Sequence, residues 1–122
     1  MKEIKNARIE SADLCIEDHG FFCVELLLRG DGWSVGFGNV AIGRVLSEKK
    51  GFEGTSKGIE EIMSIMSVVG VDKFSDLKGK YVRIELNGLG YPVKKIGNII
   101  EDKWFDYEEF YREKEEWKKN EG

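Results

Sequence analysis

Phe21-Phe22-Cys23-Val24-Glu25-Leu26-Leu27-Leu28-Arg29 carries one charge before its closing arginine. Phe22, Val24, Leu26 and Leu28 recur with a period of two, which places them on one face of a β-strand. Moving outward, residues 4–18 read as a long first strand anchored by Ile9, Leu14 and Ile16. The polar Ser11-Ala12-Asp13 predicts a bulge within it. On the other side, Gly30-Asp31-Gly32 reads as a turn, and Trp33–Phe37 returns as a third strand. Gly36 and Gly38 flank Phe37 and predict a bulge or a close backbone approach. Ala41–Leu46 fits a short strand or a helical turn, and Ser47–Gly54 reads as a loop.

Ser56 to Val69 reads as a helix. Ile59, Ile62, Met63, Met66 and Val69 stand at helical spacing, Ser56 is placed to cap the first turn, and Gly70 is a stop signal. The methionines read as core filler rather than as a ligand box. Val71–Lys78 reads as a loop whose Val71, Phe74 and Leu77 plug into the core. Lys80–Leu86 alternates as a half-buried strand, Asn87–Pro92 reads as a turn, and Val93–Glu101 as a last strand broken at Gly97. Asp106 then opens a second helix, with Glu109 at capping-box spacing and Tyr107, Phe110 and Tyr111 on one face. The order β-β-β-α-β-β plus a C-terminal helix predicts an α+β fold. Its expected form is a small antiparallel five-stranded sheet or an OB-like barrel. Residues 1–105 are expected to form one strand-rich domain, and 106–122 an acidic, aromatic helix.

The net charge of −4 is unevenly placed. Residues 1–100 carry equal numbers of acids and bases, and residues 101–122 carry nine acids against five bases. The acidity therefore belongs to the C-terminal segment, and the neutral body disfavours bulk non-specific binding of nucleic acid. No apolar run is long enough for a signal peptide or a membrane span, so a cytoplasmic location is expected.

Cys15 and Cys23 are the only cysteines, and their spacing does not suit a zinc site. A two-residue turn at His19-Gly20 would put them on opposite faces of the sheet, whereas a three-residue loop would set them opposite each other. Two reduced, core-type thiols are expected. The single His19 excludes a two-histidine metal site. Asp18-His19 would be half a proton relay, but no nucleophile stands near it in sequence, and His19 reads as a turn residue. The adjacent pairs Glu17-Asp18 and Glu60-Glu61 point apart and give no general acid and base. The glycines match neither a P-loop nor a dinucleotide fingerprint. The inventory therefore predicts no enzyme, no cofactor and no metal.

Two surfaces remain. The first is a protein interface on the acidic arm, formed by Glu101, Asp102, Trp104, Asp106, Tyr107, Glu108, Tyr111, Glu113 and Trp117. Trp and Tyr are common interface anchors, and carboxylates around them would steer the arm toward a basic partner. Trp104 and Phe105 fit equally well as a plug for the core, while Tyr107, Tyr111 and Trp117 read as exposed. The second is a nucleic-acid face, with Lys78, Lys80, Arg83, Lys94 and Lys95 on the last two strands and Tyr81 or Tyr91 to stack a base.

Ile4-Lys5-Asn6-Ala7, Glu17-Asp18-His19-Gly20, Gly36-Phe37-Gly38 and Val69-Gly70-Val71-Asp72 also form a recognisable set. With Asp76-Leu77-Lys78-Gly79-Lys80-Tyr81-Val82-Arg83 and the run Ile96–Phe105, they resemble a family of small phage and prophage proteins. The resemblance covers most of residues 1–106. It implies a small acidic phage protein of the kind that includes anti-CRISPR inhibitors, which bind a host nuclease complex stoichiometrically. The expected function is therefore inhibition of a bacterial defence system by binding one of its proteins, such as a CRISPR nuclease. The alternatives are a single-stranded nucleic-acid-binding OB-like module and a sponge for a nucleotide signal.

Overall fold

A computed structural model describes residues 3–17, 19–47, 50–88, 91 and 93–112. Strands β1 (Glu3–Ile16), β2 (Phe21–Arg29) and β3 (Ser34–Ser47) form an antiparallel meander. β2 has the bounds its alternation predicts, with Val24, Leu26 and Leu28 buried and Phe22 half-buried. The predicted bulge in β1 falls between Ile9 and Ser11. β3 is longer than expected. It slips register twice against β2, with Asn39 and Ile42 as the extra residues, and continues as strand through Ala41–Leu46. β4 (Gly51–Gly54) then folds back on its end, where a loop was predicted.

The helix α1 (Ser56–Val69) has the predicted bounds and stop: Gly70 adopts φ 93°, a left-handed conformation that costs glycine little. Its cap is Thr55 rather than Ser56, because Thr55 Oγ1 accepts from Gly58 N at 3.0 Å. The buried face also differs from the predicted apolar stripe. Gly58, Glu61, Ile65 and Val68 face inward, while Ile59 and Met63 are exposed. Gly58 is the reason. A Cβ there would lie 2.4 Å from Ile42 Cβ, so glycine lets the helix backbone rest on β3 and fixes its rotation. Of the two methionines in α1, Met66 packs against the core and Met63 does not.

After a short 3-10 turn (Phe74–Leu77) come β5 (Tyr81–Leu86), β6 (Lys95–Asn98) and β7 (Trp104–Asp106). The predicted last strand, Val93–Glu101, is shortened to β6 and ends at Asn98, whose Oδ1 accepts from Ile100 N and Glu101 N at 2.9 and 2.8 Å as the chain turns into the unpredicted β7. The seven strands run in the order β4-β3-β2-β1-β5-β6-β7, all neighbours antiparallel. The two strands beyond the five expected, β4 and β7, have four and three residues and are too short to show a period. The fold is α+β. Residues 107–112 form a helix, α2, begun as predicted by Asp106, whose Oδ1 accepts from Glu109 N at 3.2 Å.

The sheet curls. An isolated parallel bridge joins Phe37 of β3 to Val93, which leads into β6. α1 lies across β3, β6 and β7 and covers the gap between the two ends of the sheet. Inside are Ile9, Leu26, Leu28, Ile65, Leu77, Val82, Ile84 and Ile96, with Phe37 meeting Phe105 edge to face. Burying each large aliphatic side chain contributes about 1.5–3 kcal/mol.

The β1–β2 turn resolves the cysteine geometry. Glu17 N donates to Phe21 O at 2.8 Å, three residues form the loop, and Cys15 lies directly opposite Cys23. Both are free thiols.

Candidate functional site

The acidic arm does not stand off the body. Phe105 is buried and contacts Phe110 at 5.4 Å between ring centroids, which makes it a plug of the core. Trp104 points to the other face of β7, where the Arg83 guanidinium stacks on it at 4.8 Å. The ring lies over Gly97 of the neighbouring strand, where a Cβ would come within 2.7 Å of it. Tyr107 and Tyr111 were expected to be exposed. They are half-buried instead, in ring contact with each other at 4.8 Å.

Tyr111 reaches Glu61. The Glu61 side chain is fully buried, with Oε2 accepting from Tyr111 Oη at 3.1 Å and Oε1 without a partner among the described residues. Burial pushes the Glu61 carboxyl above its ordinary range, and the Tyr111 hydrogen bond only partly opposes this. Burial, then the Glu61 charge, raises the Tyr111 hydroxyl well above its usual value and moves Tyr107 the same way. Lys57 Nζ sits 5.9 Å from the Tyr111 ring. At the outer end of α2, Lys94 pairs with Glu108 at 2.6 Å, which raises the lysine and lowers the carboxyl.

The docking of α2 against α1 and β7 leaves a groove of about 650 Å³. Trp104, Phe105 and Phe110 line it from β7 and α2, Met63, Ser64, Ser67 and Val68 line it from α1, and Glu60, Asp106 and Glu109 are its acidic residues. No Lys, Arg or His is among the described residues that line it. Of the predicted interface residues, Trp104 and Asp106 are in this groove. Glu108 is beside it on α2, and Glu101 and Asp102 are in the exposed β6–β7 turn. Glu113 and Trp117 lie outside the described residues, as does the rest of the predicted helix beyond residue 112. The lining residues missed were Glu60, Met63, Ser64, Ser67 and Val68 on α1 and Phe105, Glu109 and Phe110 beyond it. The helical spacing of 60, 63, 64 and 67 was legible, but only Met63 among them stood on the stripe read as core.

Three of the five cations of the predicted nucleic-acid face are engaged by other groups. Arg83 donates to Asn98 O at 2.7 Å and Glu101 O at 2.8 Å, so it fastens the β6–β7 turn. Lys94 is held by Glu108, and Lys95 lies 3.6 Å from both Glu85 and Asp106. Lys78 and Lys80 remain exposed at the entry to β5, beside an exposed Tyr81, and Tyr91 is exposed in the β5–β6 turn. His19 is exposed and bound to Glu17 through its backbone N at 2.7 Å; Asp18 lies outside the described residues. No group of three metal-ligating side chains occurs among the described residues. None of the described helices is long and apolar enough to cross a membrane.

A second concavity, about 320 Å³ and almost wholly apolar, opens between the β3–β4 hairpin and the start of α1. Ile16, Phe22, Ile42, Val45, Phe52 and Ile59 line it.

No protein-family profile, curated protein or solved structure matches the chain.

Proposed function

We propose that this chain is a stoichiometric binding protein whose acidic, aromatic groove receives a basic segment of a protein partner. The observation that carries the reading is the lining of that groove: three acidic residues, three aromatic residues and Met63, with no cation among the described lining residues. Aromatic and methionine side chains are enriched in interface cores, and one-signed charge at the rim steers a partner of opposite sign. Together with the resemblance to small phage proteins, this supports a phage-derived inhibitor of a bacterial defence nuclease, working in the host cytoplasm on a surface that otherwise holds nucleic acid. We also read the curled sheet as an OB-like barrel, supported by the strand–helix order and the parallel bridge between Phe37 and Val93.

The test is expression in bacteria that carry an active CRISPR nuclease, challenged with a targeted phage. Plaquing is expected to rise with the wild-type protein. It is expected to return to background with Glu60→Lys combined with Glu109→Lys, two substitutions on the groove rim rather than in the core. Plaquing unchanged by the wild-type protein across nuclease classes, or raised equally by the double variant, overturns the proposal. Strongly salt-dependent retention of a single-stranded oligonucleotide, lost on changing Lys78 and Lys80, would favour the nucleic-acid reading instead.

A further inference from the structure

We propose that Cys15 and Cys23 are a redox pair that closes into a reversible disulfide and fastens the β1–β2 hairpin. The two residues are directly opposed in the antiparallel register, so their side chains leave the same face of the sheet. The pair shares its parity with Glu17 and Phe21, which are joined by a backbone hydrogen bond, and such pairs have Cα atoms about 5.5 Å apart. That is the commonest Cα separation of a disulfide, about 5.5–6 Å. In a hydrogen-bonded pair the Cβ atoms start near the wide end of about 4.5–5.5 Å, so closing the disulfide requires the two strands to draw together by roughly 1.5 Å beside the turn.

The two thiols differ in access, which sets the order of events. Cys15 is half-buried and Cys23 is 3% exposed, so Cys15 meets the oxidant first. The oxidant is a small disulfide such as glutathione disulfide. Cys15 loses its proton, and its thiolate attacks one glutathione sulfur. The S–S bond breaks, and one glutathione leaves as thiolate and takes up a proton. The Cys23 thiolate, formed by loss of its own proton, then attacks Cys15 Sγ and expels the second glutathione. One protein disulfide forms from two thiols, and one glutathione disulfide becomes two glutathiones. Burial, and then the Glu25 carboxylate, raises the Cys15 thiol above its ordinary value, with Asp13 and Glu17 adding to the effect. Burial does the same to Cys23. The exchange therefore quickens with rising pH, because the thiolate is the nucleophile.

The consequence reaches the apolar concavity. Ile16 and Phe22 are the next residues along each strand, and both line it. Closing the pair pins one wall of that pocket.

The full-length protein is incubated with glutathione disulfide at several pH values, quenched with acid, and examined by mass spectrometry and thermal denaturation. The expected product has lost two hydrogens, links the Cys15 and Cys23 peptides, and reverts with dithiothreitol. Its unfolding midpoint is expected to lie about 5–10 °C above that of the reduced protein, as for a disulfide closing a loop of this size. Cys23→Ser is expected to stop at a glutathione adduct on Cys15. Thiols left unreacted, a lasting glutathione adduct on wild-type Cys15, a disulfide between two chains, or a linked form with an unchanged midpoint each overturn the proposal.

Discussion

Replacing Glu61 with methionine is expected to stabilise the protein at alkaline pH and to do little near pH 4.5. Glu61 is buried beneath Tyr111, and one of its oxygens has no hydrogen-bond partner among the described residues. An unpartnered buried acceptor costs about 1–3 kcal/mol, and more when charged, whereas the hydrogen bond from Tyr111 returns about 1 kcal/mol. Methionine keeps the length of the chain and removes the acceptor. The net gain at about pH 8 is then about 1–2 kcal/mol, or roughly 3–8 °C in midpoint for a domain of this size. The pH dependence has a fixed sign. Burial raises the folded carboxyl above its ordinary 4.5, so the native state holds a proton that the unfolded chain has lost. The stability this gives is complete below that value and is lost as pH rises through the folded pKa, at a limiting slope of about 1.4 kcal/mol per pH unit. Urea denaturation of both proteins across pH 4.5–8 isolates the contribution as a difference, because the other titrating groups are common to both. A Glu61→Met protein destabilised equally at both ends of the range would refute the argument, for it would mean a carboxyl that ionises in place without cost.

Three further substitutions test the packing. Gly58→Ala is expected to destabilise by about 2–4 kcal/mol in chemical denaturation, although alanine is the better helix former by about 1 kcal/mol, because its Cβ would meet Ile42 at 2.4 Å and that residue's Cα at 2.8 Å. Gly97→Ala would push the Trp104 ring off its strand. A loss of about 1–3 kcal/mol and a shifted tryptophan emission are expected, since Arg83 loses its stacking partner. Asn98→Ala removes a side chain that donates to Val68 O at 2.9 Å and accepts from two turn amides. It is expected to cost about 2–3 kcal/mol and to speed hydrogen exchange at Ile100 and Glu101.

Where a local signal dominated, the sequence was readable. The alternation of β2, the bulge in β1, the extent of α1, its stop at Gly70 and the Asp106 cap all follow from neighbouring residues. What escaped depended on distant ones. The rotation of α1 is set by Gly58 meeting Ile42, a contact between helix and sheet that no period reveals. Because of it, Met63 moved from the expected core to the wall of the groove and Glu61 moved inside. The same holds for the basic cluster. Arg83, Lys94 and Lys95 read as a patch until the fold supplies two backbone carbonyls, Glu108, and the pair Glu85 and Asp106.

The central place of β1 also sets the order in which this chain can fold. Ala7 must wait for Val82, its partner more than half the chain away. During synthesis at about 5–20 residues per second, that interval is about 4–15 s, in which the β1–β2–β3 meander has one side unpaired. Ala7 and Ile9, sealed in the finished sheet, stay open to water until β5 arrives. The last strands therefore act as a late closing step. Contacts of such long sequence separation make that step slow, and they expose the N-terminal edge to pairing with other chains until it is complete.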